Sequence, residues 1–295
     1  VTMATYAVDI RRLTPFLGNV PLKAITPGMI QSTYGAMLKT GLSPRSVEQV
    51  HTVLHRALSH AMHWGLTSRN PAQLVSPPRP GRREMTALSS VQLQRLLAHT
   101  EGSRWHPLWV LMASTGLRKG EALGLGWQDV DLDARKLTVR RALQRQPGIG
   151  VVFVPPKSAK SRRTVYLSDV ACSVLWAQRQ YQEACRLRAE EWLNSGLVFT
   201  NLQGGPLESG EVNRALTQAL RQAGLPHIRV HDLRHTTASI LLEAGTHPKI
   251  VQDLLGHSTI RLTLDTYSHL TPALHREAAQ TMDVVLGCLR QGPLS

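Results

Sequence analysis

The segment from Ser76 to Arg83, Ser-Pro-Pro-Arg-Pro-Gly-Arg-Arg, constrains the fold of this 295-residue chain more than any other feature. Its prolines and its glycine forbid a regular helix or strand, and its arginines keep the segment in solvent or on phosphate. A chain of this length is enough for about two domains, each with its own core. We therefore predict a domain at residues 1–76, a linker at 77–87 and a larger domain at 88–295.

Residues 1–76 carry the signals of a small helical domain. Thr26-Pro27 and Ser43-Pro44 each place a capping side chain before a proline at the first helical position, so a helix is expected to begin at each pair. A further helix is expected around Tyr6 to Leu13, and the helix opened by Ser43 should end near Gly65. Apolar residues recur on one face of that helix, at Val47, Val50, Leu54, Ala57, Leu58 and Ala61.

Residues 88–295 combine helices with short strands. Ser89 or Ser90 should cap a first helix, and residues 108–114 should form a second, largely buried one. Runs rich in β-branched and aromatic residues then predict one small antiparallel sheet, with strands at Lys136–Ala142, Val151–Val154 and Arg163–Leu167. Helices resume from about Asp169 and end with an amphipathic helix over about Thr271–Leu289. The predicted fold class is mainly α with a small antiparallel β-sheet.

Basic residues exceed acidic ones by a wide margin. Lys and Arg total 34 against 20 for Asp and Glu, which gives a net charge of +14. Residues 1–87 hold ten basic and three acidic residues, so this part is the more densely basic one. Because Lys and Arg that neutralise phosphates release counterions, such a surplus favours a polyanionic partner, and nucleic acid is the first candidate.

Several other classes of protein are disfavoured by the sequence. No apolar run approaches the roughly 20 residues that cross a bilayer, and no secretory signal is visible, so we expect a cytoplasmic protein without a membrane partner. Cys172, Cys185 and Cys288 are scattered without C-x-x-C spacing, which argues against a disulfide framework or a zinc cluster. No carboxylate cluster is spaced for two metals, and we expect neither a metal nor a cofactor.

Arg118, His231, Arg234 and Tyr267 are candidates for phosphate chemistry. Arg118 follows a glycine that ends an apolar helix, in Ser-Thr-Gly-Leu-Arg-Lys-Gly-Glu, and a guanidinium near a helix N-terminus favours an anion. His231 and Arg234 are three residues apart and share a face if the segment is helical. A tyrosine needs cations and a proton acceptor nearby, because its ordinary pKa is about 10. Each signal alone is weak, since an arginine near Glu121 is usually a surface ion pair and H-x-x-R often arises by chance.

Two further residues complete a recognisable order. Lys157 lies in a basic turn between two predicted strands, Pro-Pro-Lys-Ser-Ala-Lys-Ser-Arg-Arg, and His257 follows a glycine in Leu-Gly-His-Ser. Arginine in T-G-L-R-x-G-E, a hairpin lysine, H-x-x-R, G-H and then tyrosine resembles the tyrosine recombinase (phage integrase) family, from about residue 5 onward. Leu17-Gly-Asn-Val-Pro-Leu-Lys-Ala-Ile-Thr-Pro27 and Asn70-Pro71 also resemble the family's helical core-binding domain.

This resemblance implies a site-specific DNA recombinase that cleaves and rejoins DNA through a 3′-phosphotyrosine intermediate, for integration or excision of a mobile element or phage. Tyr267 would be the nucleophile. Arg118 and Arg234 would clamp the non-bridging oxygens of the scissile phosphate and offset charge gained in the transition state. His231 would act as acid and base, and His257 would hydrogen-bond a phosphate oxygen.

The resemblance also assigns supporting residues. Lys157 would protonate the departing 5′ oxygen; Lys160 is close enough to be confused with it, and Lys157 is preferred because its P-K-S resembles the family's T-K-T. Glu121 and Asp232 would orient their neighbours, and His235 would be structural. The implied partners are double-stranded DNA and further copies of the chain, in a tetramer on paired sites, with the last helix docked on a neighbour. Many relatives carry a further N-terminal domain that binds arm sites.

Two other functions fit part of the pattern. A basic helical protein could bind DNA as a non-catalytic regulator, with the helix opened by Ser43 as its recognition helix, but this leaves the downstream pattern unexplained. A type IB topoisomerase uses a similar set of residues to relax DNA, yet T-G-L-R-K-G-E with L-G-H-S resembles integrases more. The histidines of the Ser43 helix, His51, His55, His60 and His63, lack a carboxylate or cysteine to complete a metal site, so a solvated or DNA-facing helix edge is expected.

Overall fold

The chain divides into two units, Val1–Glu84 and Met85–Ser295, in a computed structural model that describes residues 2–81, 86–146, 148–156, 162–256, 259, 282 and 284. Each unit has a hydrophobic core of its own. Among the described residues, no helix combines the length and the apolar character needed to span a bilayer.

Helices make up the described part of the first unit. They are α1 (Thr2–Leu17), α2 (Pro27–Lys39) and α3 (Pro44–His63), with 3-10 turns at Leu22–Ala24 and Pro71–Leu74. Both predicted helix starts are confirmed: the Thr26 hydroxyl accepts a hydrogen bond from the Met29 amide at 3.3 Å, and the Ser43 hydroxyl accepts one from the Ser46 amide at 3.2 Å. These caps satisfy amide groups that have no partner inside the helix.

The core of the first unit is formed by the apolar faces of its three helices. The buried stripe of α3 consists of Val47, Val50, Leu54, Leu58 and Ala61. Ala57 was also predicted on this face, and that detail was wrong, because position 57 lies at the edge of the stripe and is exposed. Tyr34 of α2 is buried, and its hydroxyl lies 2.9 Å from His51 Nδ1.

The second unit is built largely from helices. They are α4 (Ser90–Thr100), α5 (His106–Thr115), α6 (Lys119–Leu123), α7 (Asp169–Arg188), α8 (Ser209–Gln222), α9 (Asp232–Glu243) and α10 (Pro248–Leu255). Ser89 caps α4, and its hydroxyl accepts from the Gln92 amide while the Gln92 side chain accepts from the Ser89 amide. Helix α5 is buried along nearly its whole length and packs against α7 and α9, so it is the central helix of this unit.

The β structure of the second unit is divided between two small antiparallel sheets. Its strands are β1 (Val130–Asp131), β2 (Lys136–Val139), β3 (Ala142–Gln146), β4 (Gly150–Val154) and β5 (Arg163–Tyr166). One described sheet has the order β1-β2-β5, and β3 pairs with β4 in the other. The predicted run Lys136–Ala142 is therefore broken: Arg140 pairs with Asp129, and Arg141 donates to the Gly124 carbonyl at 2.9 Å, where the chain changes sheet. The mainly helical class with small antiparallel sheets is confirmed.

Helix α6 lies directly on the backbone of β3. A Cβ atom at Gly120 would meet the Leu143 carbonyl oxygen at 2.8 Å, and one at Gly124 would meet the Leu143 amide nitrogen at 2.9 Å. Only glycine permits this approach without a shift of the backbone. The close contact fixes the start of α6, where Arg118 is located.

Candidate active site

Arg118 occupies the short connection between α5 and α6. Gly116 ends α5 with a left-handed backbone conformation at φ 61°, and Arg118 precedes the first residue of α6. The Arg118 side chain is 37% exposed, so its guanidinium can reach an external anion. Glu121, one turn later, accepts hydrogen bonds from the Arg118 amide at 3.0 Å and from Arg118 Nη1 at 2.6 Å. The predicted break of the helix and the ion pair with Glu121 are thus both present.

Helix α9 brings His231 and Arg234 to the same place. His231 immediately precedes α9, and Arg234 lies in its first turn with only 2% of its surface exposed. Arg234 Nη1 donates to the Gly116 carbonyl at 2.8 Å, and the Thr237 hydroxyl donates to the Ala113 carbonyl at 2.8 Å. These bonds tie α9 to the end of α5, so Arg118, His231 and Arg234 are brought together.

The surroundings of His231 favour its neutral form. Partial burial lowers the pKa of His231 to about 4, helped by the charges of His235, Arg234 and Arg118, while Asp232 acts in the opposite direction. The rings of His231 and His235 meet edge to face at a centroid distance of 5.1 Å. The residue as a whole nevertheless remains exposed to solvent. At neutral pH the imidazole is therefore uncharged and can accept a proton.

An open cavity of about 530 Å³ lies beside these residues. Its basic lining residues are Arg118, Lys119, His227, Arg229 and His231. Lys119 Nζ donates to Asn213 Oδ1 at 3.0 Å, and burial lowers the pKa of Lys119. The arrangement can hold a phosphodiester, because it offers several cationic donors and one neutral proton acceptor.

A comparison with known protein families decides how this site is interpreted. Residues 86–273, well over half of the chain, match the model of the phage integrase family. The chain belongs to this family. The predicted resemblance to tyrosine recombinases is confirmed.

Individual relatives of this integrase are similar along most of their length. A tyrosine recombinase XerC-like protein of Caldanaerobacter subterraneus subsp. tengcongensis is 29% identical over 285 residues, covering 90% of this chain and 73% of the relative. An integrase of Streptomyces ambofaciens is 30% identical over 298 residues, covering 96% of this chain and 74% of the relative.

Solved structures share the fold of this integrase although their sequence identity to it is low. The Tn1549 transposon integrase, in complex with transposon right end DNA, aligns with a TM-score of 0.82 at 22% identity, covering 95% of this chain and 93% of that one. A lambda integrase dimer bound to a COC′ core site aligns with a TM-score of 0.63 at 19% identity, covering 90% and 88%. The fold is therefore that of a tyrosine recombinase.

Arg163 is a residue of the integrase site that the sequence did not single out. It begins β5, and only 7% of its side chain is exposed. Its Nη2 donates to Glu121 Oε2 at 2.9 Å, and its Nε donates to the Leu254 carbonyl at 2.7 Å. In the sequence, Arg163 is the last of several basic residues in one run. Only its contact with the buried Glu121, which is seen in the structure, distinguishes it from the others.

The remaining predicted catalytic residues of the integrase lie outside the described residues. They are Lys157, its alternative Lys160, His257 and Tyr267. The described chain reaches Gly256, whose carbonyl accepts a hydrogen bond from Arg118 Nη2 at 3.3 Å. The predicted last helix also lies mostly outside the description; within it, Met282 and Val284 are helical and exposed.

The supporting residues take different positions. Asp232 is buried and accepts hydrogen bonds from the Arg229 amide at 2.8 Å and from its guanidinium at 2.7 and 3.0 Å, so it orients Arg229 at the cavity rim. His235 is partly buried, and its pKa is lowered chiefly by that burial. No group of three His, Cys, Asp or Glu residues suited to a metal ion occurs within the described parts of the chain.

Proposed function

We propose that this integrase is a site-specific DNA recombinase that integrates or excises a mobile element or phage through a 3′-phosphotyrosine intermediate. The observation that carries the proposal is the meeting of Arg118 and His231 at one basic cavity, with Arg234 bonded to the Gly116 carbonyl two residues before Arg118, in a chain of the phage integrase family. The DNA complexes and the lambda integrase assemblies among its structural neighbours support a DNA substrate and a tetramer on paired sites. The reaction takes place in the cytoplasm, where its DNA substrate lies.

In the proposed reaction, Tyr267 Oη attacks the scissile phosphorus and the bond from phosphorus to the 5′ oxygen breaks. His231 accepts the tyrosine proton, which its neutral ring permits, and Lys157 gives a proton to the departing oxygen. Arg118 and Arg234 stabilise the charge on the non-bridging oxygens. The 5′ hydroxyl of a second strand then attacks the phosphotyrosine and gives its proton back to Lys157. The bond from phosphorus to Tyr267 Oη breaks, and the protonated His231 returns its proton to the tyrosine, so the DNA backbone and the free enzyme are restored. His257 supplies a further hydrogen bond to the phosphate.

We propose the domain at residues 1–76 as the part that binds DNA beside the cleavage point. It contains most of the basic surplus of residues 1–87, which hold ten basic and three acidic residues. Lysine and arginine contacts to phosphates supply most of the affinity of such a domain. Recognition and chemistry would then be divided between the two domains.

The experiment is covalent capture on nicked duplex DNA. A library of randomised, nicked duplexes is incubated with the protein, and adducts that survive denaturant are sequenced to give the preferred site. Tyr267→Phe should yield no adduct and should bind the captured duplex within about twofold of the parent, because one hydroxyl adds little to many phosphate contacts.

Tyr166→Phe is the matched control for this experiment. Tyr166 lies in β5 and is 77% exposed, so its variant loses the same atom away from the proposed site and should still form the adduct. A denaturant-resistant adduct of Tyr267→Phe would show that the nucleophile is another residue. On plasmids with two captured sites, exchange of flanking DNA is expected, whereas relaxation without exchange would assign a topoisomerase activity.

A further inference from the structure

A closed ring of hydrogen bonds joins α6, β5 and the end of α10. Glu121 accepts from both Arg118 and Arg163, and each arginine also donates to a carbonyl near the end of α10. Arg163 Nε donates to Leu254 at 2.7 Å, and Arg118 Nη2 donates to Gly256 at 3.3 Å. The two arginines therefore share one carboxylate and hold one segment of backbone.

The end of α10 is shaped around the Arg163 side chain. Gly256 closes α10 with a left-handed conformation at φ 65°. A Cβ atom there would lie 3.1 Å from Arg163 Cδ and from Arg163 Nη1, closer than ordinary van der Waals contact. The Arg163 guanidinium thus lies against the bare Cα of Gly256, and the position of Gly256 at the end of α10 depends on this contact.

The Arg163–Glu121 pair is nearly removed from water, with side-chain exposures of 7% and 5%. Burying two charges costs several kcal/mol per ion before their attraction is counted, so such a pair is a weak source of stability. Arginine suits this position better than lysine, because its planar fork can donate to Leu254 and Glu121 at once, whereas an ammonium group is a compact charge. The hydrogen bonds fix the orientation of the Arg163 and Glu121 side chains, and a catalytic site requires groups that are held in a defined orientation.

We propose that Arg163 is a positioning residue for DNA cleavage, holding Glu121 and the end of α10 so that Arg118 is set against the scissile phosphate. The inference rests on the proposed function. One buried side chain therefore holds both the carboxylate that pairs with Arg118 and the end of α10, to which Arg118 also donates.

The test compares Arg163→Gln and Arg163→Lys with Arg162→Gln, which removes the same charge from the exposed neighbouring residue. Single-turnover adduct formation is measured at saturating captured duplex, together with DNA affinity and melting temperature. Each protein is also given a duplex whose scissile phosphate carries a methyl group in place of one non-bridging oxygen. The scissile group of this substrate is neutral, so its cleavage depends less on the positive charge of Arg118. A variant that misplaces Arg118 should therefore be slowed less on this substrate, whereas a folding defect should slow both reactions equally.

Both Arg163 variants should form the adduct about 10- to 100-fold more slowly than Arg162→Gln on the ordinary phosphate, as misplacement of a catalytic group predicts. DNA affinity should stay near that of the control, and the loss of rate should shrink on the methylated substrate. If Arg163→Gln does not fold, Arg163→Lys, which keeps the charge, is used alone. Its rate of adduct formation is then compared with that of Arg162→Gln on the ordinary and on the methylated substrate.

Adduct formation by the Arg163 variants as fast as by Arg162→Gln would overturn the inference while leaving the proposed function intact. An equal loss on both substrates would also overturn it, because a general structural defect does not distinguish a charged phosphate from a neutral one. If the parent protein captured no DNA at all, the proposed function would fail, and this inference with it.

Discussion

Burial and the neighbouring basic residues determine the protonation state of His231. Partial burial, together with His235, Arg234 and Arg118, lowers its pKa to about 4, so the ring is uncharged at neutral pH. A neutral imidazole can accept the proton of an attacking hydroxyl, whereas an imidazolium cannot. A bound phosphate would bring negative charge to the same place and would favour the protonated ring after the proton has moved.

We expect His231 in the DNA-free protein to titrate well below 6.5, toward about 4. The folded state then binds fewer protons than the unfolded state in this window, so the contribution of His231 to stability is present above 6.5 and is lost as the pH falls toward 4. NMR of histidine-labelled protein, with His231→Asn to assign the resonance, measures the midpoint. Binding of the captured duplex should raise the titration midpoint of His231, because the DNA phosphate brings negative charge to the site. A midpoint at or above 6.5 without DNA would contradict this description of the site.

At the scale of elements, Gly116 joins three helices. It ends α5, its carbonyl accepts from Arg234 of α9, and a Cβ atom at this position would lie 2.5 Å from Leu255 Cδ2 of α10. Gly116→Ala therefore introduces both a strained left-handed backbone and a clash. We expect a loss of about 1–3 kcal/mol of unfolding free energy, measured by urea denaturation.

Gly210→Ala serves as the control for Gly116→Ala within the same unit. Gly210 lies in the first turn of α8, is exposed, and a Cβ atom there would meet only a flexible arginine end at 3.5 Å. Because alanine suits a helix better than glycine does, this variant should be neutral or slightly stabilising. Equal stabilities of the two variants would show that the left-handed turn at Gly116 is not strained by a side chain.

Local signals in the sequence were enough to predict most helix starts. Thr26, Ser43 and Ser89 begin helices through contacts with residues three positions away, so tertiary structure is not needed to locate them. The division of the β structure was not predictable in the same way. Arg140 and Arg141 continue a strand-like run in the sequence. Only their contacts with Asp129 and with the Gly124 carbonyl, which belong to earlier parts of the chain, show that the chain changes sheet there.

The candidate site shows the same contrast. Arg118, His231 and Arg234 were found because their spacing and order follow a pattern that can be read along the chain. Arg163 has no such spacing, and an arginine is seldom buried unless it is paired. Its partners Glu121 and Leu254 are 42 and 91 residues away, so its importance arises only from tertiary packing.

At the scale of the whole molecule, the proposed reaction draws all its positive charge from side chains. Transfer of the DNA phosphate to tyrosine and back exchanges one phosphodiester for another, so the reaction needs no nucleotide to drive it. We expect adduct formation to proceed in EDTA and without ATP, at a rate within about twofold of that with magnesium. Gel analysis of adducts after dialysis against EDTA measures this. Activity that disappeared in EDTA and returned only with magnesium would contradict the proposed mechanism.

Separate hydrophobic cores have a consequence for how such a protein can change over generations. The apolar cluster around Tyr34 and the one around Trp109 consist of different residues, with a proline-rich stretch of chain between them. A substitution that reshapes the surface of the first unit leaves the packing of the second undisturbed. Under the proposed division of roles, in which the first unit binds DNA and the second cleaves it, selection can redirect the protein to new stretches of genome by altering one unit, while the other is inherited unchanged.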